Sequence, residues 1–328
     1  MELIARGIST LSALAWVALS CTTLWGAEPS TPIDVWLDVD TATGSGDVDD
    51  GLMLIQSFHS PEMKIHGVSV VYGNAPLDKA VPIAREIVSK FGPQGMPVHA
   101  GAARSDQLGE ITPAVKAMAA ALKQQPLTIL AVGPVTNVGT LVQRYPELHG
   151  RIQSIIMVAA RRKDQRFISS ERQKLPHRDF NFEHDPVAMQ AILDTKIPLV
   201  FAPWEVSSHV WITRDDLQTL KQSGPSGQWI AETSQYWIAR WEAGITDRGF
   251  NPFDTLAAGW VTHPHLIRSM RVGVNIIEGP DDRDGDKTKP YLVVEPTTET
   301  SREVIFCFQP EDAFKPLLMQ RLAGQSGS

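Results

Sequence analysis

The chain has 328 residues and only two cysteines, Cys21 and Cys307. Two thiols cannot build a disulfide framework, so a small redox or disulfide scaffold is excluded. Positive charge is also short: 30 Lys+Arg stand against 37 Asp+Glu, a net charge of -7. A phosphate backbone demands a basic face, so no nucleic-acid partner is expected. One apolar run alone is long, residues 8–25, which excludes a polytopic membrane protein. No internal repeat or long low-complexity tract is present. What remains is 43% apolar, ordinary for a globular chain with a sizeable core.

The single apolar run carries no charge, follows Arg6 and is succeeded by the polar stretch Glu28-Pro29-Ser30-Thr31-Pro32. It reads as a secretory signal peptide over residues 1–27. Cleavage after Ala18-Leu19-Ser20 leaves Cys21 first, a weak lipoprotein pattern; cleavage near Ala27 is the other choice. An uncleaved anchor is the alternative to both. The mature chain is therefore expected to be exported, periplasmic or secreted, without a stable membrane span.

From residue 33 onward, β-branched runs alternate with amphipathic ones. Strands are expected over 33–38, 65–71, 127–132, 152–158 and 198–202, and helices over 49–58, 78–91, 113–124, 136–144 and 186–195. In the second helix Ala80, Ile83, Ala84, Ile87 and Val88 mark one face at helical spacing. Such alternation predicts an α/β fold with an open, mostly parallel, doubly wound (Rossmann-like) sheet, as a single domain over 33–320. The last third is less regular. It offers a tryptophan-rich helix over 228–242 and late strands over 271–274 and 291–294, flanking Asp281-Asp282-Arg283-Asp284-Gly285-Asp286. Calcium can bind such a stretch, but Asp and Gly favour turns in their own right, and a solvated hairpin turn is expected.

In open α/β sheets ligands bind beyond the carboxyl ends of the strands. The first strand ends in Asp38-Val39-Asp40 and leads into Asp49-Asp50 at a helix start; the others end in Tyr72-Gly73-Asn74 and Val132-Gly133-Pro134. Four carboxylates around one turn repel each other unless a cation or proton compensates them. Helix capping accounts for Asp49 and Asp50, not for Asp38 and Asp40. With no thiol or imidazole among them, the implied ion is hard and oxygen-preferring, Ca²⁺ or Mg²⁺. An EF-hand fails, because Ala42 and Thr43 stand where a ligand and a glycine are required. A phosphate loop at Gly44-Ser45-Gly46 is opposed by Asp47, Asp49 and Asp50. A haloacid dehalogenase-type phosphohydrolase shares Asp38-x-Asp40, but Ala42 replaces its threonine.

Leu37-Asp38-Val39-Asp40 together with Asp49-Asp50-Gly51-Leu52-Met53-Leu54 resembles the opening signature of the inosine–uridine-preferring nucleoside hydrolases. Stretches 68–74 (VSVVYGN), 127–137 (LTILAVGPVTN), 179–186 (DFNFEHDP) and 251–257 (NPFDTLA) agree in the same order. The resemblance covers about residues 33–260. It implies that Asp40, Asp50, Asp254 and the Val132 carbonyl hold Ca²⁺, with Asp40 also the general base. Asp49 and Asn74 would bind ribose hydroxyls, Asn181 and Asp179 the sugar's other side, and Asp38 would support the cluster from behind. Asp179 stands where the family usually has Glu. The implied reaction is attack of water on the N-glycosidic bond of a ribonucleoside, giving ribose and free base, in a homodimer or homotetramer.

Two departures stand out. Residues 41–48 lengthen the first loop, which Gly44 and Gly46 let bulge outward. Phe253 replaces the histidine that the family usually places before the late metal Asp to protonate the leaving base. Replacements for it are His184, His177, Tyr236, Trp204, Trp237 and Trp241. For His184 a structural role is the simpler expectation, and for Trp237 and Trp241 it is core packing. Arg161-Arg162-Lys163 is expected as a solvated basic loop, with a mobile lid as its alternative. A non-catalytic ribonucleoside-binding protein is the main rival to the enzyme.

Overall fold

The computed structural model describes residues 31–325; the expected signal peptide and Cys21 lie outside the described residues. Ten strands form one sheet: β1 (Ile33–Val39), β2 (Met63–Val70), β3 (Val98–Ala100), β4 (Leu127–Ala131), β5 (Ile152–Met157), β6 (Arg161–Arg162), β7 (Leu199–Phe201), β8 (Ile267–Pro280), β9 (Thr288–Glu295) and β10 (Arg302–Pro310). Their order is β3-β2-β1-β4-β5-β7-β10-β8-β9-β6. The first six in that order run parallel, while β10 is parallel to β7 and antiparallel to β8. The expected parallel sheet is present, with an antiparallel wing at one end.

Strands buried on both faces read as continuous apolar runs, and β4 (LTILA) is buried throughout. Alternation within β1 separates two cores. Val35, Leu37 and Val39 join the apolar cluster on one face, and Trp36 joins the cluster on the other. The first face is covered by α1 (Asp49–Phe58), α2 (Leu77–Phe91) and late helices; the second by α3 (Pro113–Gln124), α4 (Thr136–Arg144) and, after the short α5 (Phe180–His184), by α6 (Pro186–Leu193). In α2 the predicted face is inward: Ala80, Ala84, Ile87 and Val88 are buried and Ile83 half-buried.

The late chain departs from expectation in three places. The helix expected over 228–242 follows α7 (Trp204–Ser207) and α8 (Arg214–Lys221), and it is two helices, α9 (Pro225–Thr233) and α10 (Gln235–Gly244). The break has a local cause. The Thr233 hydroxyl donates to the Trp229 carbonyl (2.8 Å) and the Gln235 amide to that of Ala231 (2.6 Å), so side chains compete with the helical ladder. After α11 (Thr255–Thr262), β8 and β9 are far longer than expected, and β10 enters between β7 and β8 ahead of α12 (Phe314–Leu322).

Two further departures, the acidic turn and the basic segment 161–163, meet each other. Residues 281–287 do turn the hairpin, with the Asp281 N–H donating to the Lys287 carbonyl at 2.8 Å. They are not simply solvated, because Asp282 pairs with Arg161 (2.9 Å) and Lys289 (2.8 Å). Arg161, expected in a solvated loop, is 2% exposed and lies over the rings of Phe167 (4.1 Å) and Tyr291 (5.0 Å). With Arg162 it makes the parallel strand β6 against Val293 and Val294. Among the described residues no helix is long and apolar enough to cross a membrane.

Candidate active site

The carboxyl ends of β1, β2, β4 and β5 open onto a cavity of about 1080 Å³. Asp49, Asn74, Val132, Asp179, Asn181 and Asp254 all line it. Asp40 and Asp50, both fully buried, do not reach its wall. Five separate stretches of sequence thus converge where the sheet topology predicts a ligand.

The carboxylates are held by the backbone around them. The Asp40 N–H donates to Asp50 Oδ1 (2.9 Å) and the Asn74 N–H to Asp40 Oδ2 (2.7 Å). The Asn74 side-chain amide donates to Asp50 Oδ2 at 3.4 Å. This packing requires glycine at position 73, with φ +157°, since a Cβ there would run into Asp40 Oδ2. Asp38, on β1, is fully buried. Its Oδ1 accepts from Ser69 Oγ and from Asn137 Nδ2 (2.9 Å), and Trp36 Nε1 donates to Ser69 Oγ at 2.8 Å.

Carboxylate oxygens of Asp49, Asp50 and Asp254 come within 4.8 Å of one another, so the described chain contains an acidic cluster able to hold a metal ion. Asp49, assigned above to the sugar, belongs to this trio, while Asp40 adjoins it through Asp50. Asp40 Oδ1 and Asp254 Oδ2 are buried and have no hydrogen-bond partner among the described residues. A buried carboxylate oxygen without a donor is costly, and a hard cation compensates it. The donor set is entirely oxygen and fits such an ion. Proton affinities tell the same story. Burial first, and then neighbouring carboxylates, hold Asp40, Asp49 and Asp254 well above the usual range and push Asp50 up to about 8.

In α5, Asn181 Nδ2 donates to the carbonyls of Val132 (2.6 Å) and Val158 (3.1 Å). A carbonyl has two lone pairs, so the Val132 oxygen retains one for another partner. The Asp179 carboxylate accepts from the N–H of Ala160 (2.9 Å), whose backbone is left-handed at φ 80°. Burial outweighs the favourable Arg161 charge and pushes Asp179 up to about 7.

The lengthened first loop does bulge: Gly44 adopts φ +92°, and the N–H groups of Ser45 and Gly46 turn back to the Ala42 carbonyl. It also delivers Asp47 to the cavity wall beside Asp49, a contribution the sequence reading missed. The Asp-rich spacing was the available signal.

Opposite the acidic floor the walls are aromatic. Trp241 is buried, and its ring lies near those of Trp237 (6.4 Å), Phe253 (6.1 Å) and His177 (5.3 Å). Trp204 stacks on Phe167 at 5.0 Å. Trp237 and Trp241 are therefore both core and cavity wall. His184 also lines the cavity, with Nδ1 bonded to the Phe180 carbonyl (2.8 Å), while Tyr236 is exposed at the mouth.

Fold and site together define an α/β protein whose acidic centre, able to hold a metal ion, sits at the carboxyl end of a parallel sheet. Residues 35–304 match the family model described as inosine-uridine preferring nucleoside hydrolase, and the chain belongs to that family. It is 24% identical over 314 residues to the pyrimidine-specific ribonucleoside hydrolase RihA of Klebsiella pneumoniae, covering 84% of this chain and 95% of that one. Identity to the non-specific ribonucleoside hydrolase RihC of Escherichia coli is 23% over 263 residues, covering 72% and 81%. A plant nucleoside hydrolase shares the fold with a TM-score of 0.73 at 18% identity, covering 89% of this chain and 99% of that one. A purine-preferring ribonucleoside hydrolase from Gardnerella vaginalis gives 0.71 at 18% identity, covering 89% and 98%. These matches favour neither the binding protein nor the phosphohydrolase considered above.

Proposed function

We propose that the chain hydrolyses the N-glycosidic bond of ribonucleosides in a Ca²⁺-dependent manner, with Asp40 as general base. The observation that carries this is the pair of donorless buried oxygens, Asp40 Oδ1 and Asp254 Oδ2, set beside a cavity lined by Asp49, Asn74, Asp179 and Asn181. Asp40, Asp50, Asp254 and the Val132 carbonyl would hold the ion, and the trio geometry adds Asp49 as a further contact. When bound, Ca²⁺ supplies a charge that orients vicinal hydroxyls and acidifies water.

The chain's own groups do the rest. Asp49 and Asn74 accept from and donate to the ribose diol on one side, and Asp179 and Asn181 grip it from the other, fixing the anomeric carbon towards Asp40. Asp40 takes the proton of the attacking water. The same carboxylates favour the positive charge that develops on the sugar. Flat apolar walls from Trp204, Trp241 and Phe253 suit a nucleobase.

The test is ribose release from inosine, uridine and an activated nitrophenyl riboside, before and after exhaustive chelation. Chelation should abolish release and added Ca²⁺ restore it. Undiminished turnover in chelator, with elemental analysis showing no divalent ion, would end this reading. The residues preceding the described chain support a second expectation, that the enzyme acts after export; fractionation of producing cells tests it.

A further inference from the structure

A nucleobase is read by what its edge donates and accepts, and the cations on the cavity wall can only donate. Arg172 pairs with Asp247 (3.0 Å) and Arg178 with Glu183 (3.5 Å), while Lys174, Arg240 and Tyr236 line the cavity as exposed residues. The indole N–H groups of Trp204, Trp237 and Trp241 are shielded, so these residues present ring surface. His184 offers a lone pair on Nε2, since its Nδ1 is held by the Phe180 carbonyl. Its ring, however, packs with Phe180 (4.0 Å) and Tyr72 (6.0 Å) rather than with the tryptophans.

His177 belongs to the aromatic wall. It lines the cavity, and its ring meets Trp241 at 5.3 Å and Phe253 at 6.1 Å. Its tautomer is fixed from the core. Asn251, fully buried, donates Nδ2 to the Val210 carbonyl (2.7 Å), which leaves Oδ1, an acceptor alone, facing Ser169 Oγ at 3.4 Å. The Ser169 hydroxyl gives its one proton there and accepts from His177 Nε2–H at 3.1 Å. Nδ1 is left as a lone pair. It makes no hydrogen bond among the described residues and, unlike the indole N–H groups, is not shielded. Burial and the nearby Arg283 push the His177 pKa down to about 4, so the lone pair stays free at neutral pH.

We propose that His177 Nδ1 accepts the ring N–H of a lactam nucleobase, uracil or hypoxanthine, and so selects for such bases. This rests on the hydrolase reading above and deepens it. A lactam edge sets an N–H beside a carbonyl, and Arg283 supplies the complement to that carbonyl. It lines the cavity, spends Nη1 on the Pro176 carbonyl (2.6 Å) and has no carboxylate partner among the described residues. A charge-assisted bond to the base oxygen strengthens as part of the electron pair of the broken C1′–N bond settles there. His177 itself, with its one proton turned to Ser169, is no donor to the departing base.

The experiment is a two-by-two comparison in the full chain. It uses uridine or inosine, whichever the parent cleaves faster, and the ring-N-methyl form of the same nucleoside, 3-methyluridine or 1-methylinosine. The readout is kcat/KM, or the inhibition constant where the methylated form is not turned over. His177→Phe keeps a ring in the wall and removes the acceptor. It should weaken the unmethylated nucleoside by about tenfold and leave the methylated form nearly unchanged. Ser169→Ala, which frees the imidazole from its fixed tautomer, should show the same selectivity with a smaller loss, and circular dichroism should match the parent in both. An equal loss on both forms would assign His177 to structure, and no loss on either would remove it from base recognition; each overturns the proposal. So does a parent that takes the methylated form as well as the unmethylated one. A parent that cleaves neither uridine nor inosine refutes the hydrolase reading itself and takes this proposal with it.

Discussion

Asp40 answers two demands with one carboxylate: Oδ2 is fixed by the Asn74 N–H, and Oδ1 is left without a donor among the described residues. Asp40→Asn keeps the shape and the Asn74 contact but loses the base. Turnover of uridine should fall by about 10²–10⁴-fold, with an unchanged circular dichroism spectrum; near-parental turnover would remove Asp40 from the chemistry. Asp40 was legible in the sequence because an acid at the end of a predicted strand has few structural uses, whereas Asp50, at a helix start, has capping as a use and Asp254 was reached only through the family resemblance. The partnership of His177 with Phe253 was not. It joins side chains distant in sequence through ring contact, and no spacing rule encodes that.

At the scale of elements, the short helix α5 carries Asn181 and follows Asp179, so its placement sets the proposed sugar contacts. It is held from the late hairpin. Glu183 accepts from the Asp179 N–H (3.1 Å) and pairs with Lys289 (2.7 Å), which pairs with Asp282, the partner of Arg161. Lys289→Met should remove one of the cations these acids share, with Arg161 and Arg178 remaining beside Glu183, destabilising the fold by about 1–3 kcal/mol in denaturant titration and raising KM for uridine. Unchanged KM would show that α5 holds itself. The hairpin tip illustrates what a sequence conceals. Acidic turn and basic strand each read as solvated alone, and only the strand order β9-β6 brings their charges together. The parallel half was legible because buried strands and amphipathic helices alternate cleanly. The entry of β10 beside β7 was not, since nothing local distinguishes an inserted late strand from an edge.

For the whole molecule, the acidic cluster couples stability to pH. Asp38 and Asp179 are pushed up to about 7 and Asp50 to about 8, in each case first by burial. An unfolded carboxyl titrates near pH 4, so between roughly pH 4 and 8 the folded, ion-free chain binds more protons than the unfolded one. Raised carboxyl pKa values stabilise below the unfolded value and cease to do so as pH rises through the folded value. The Tm of chelated protein should therefore fall from pH 5 to pH 8, and Ca²⁺ added at pH 8 should reverse the fall. A flat Tm across that range would contradict the burial of these acids.

Three indoles standing in one wall also give the molecule an optical voice. Trp204, Trp237 and Trp241 emit from the surface that a nucleobase would cover, so occupancy should register as a change in intrinsic fluorescence without any label. Titrating a slow or inert nucleoside and watching that emission would rank purines against pyrimidines before a single bond is cut.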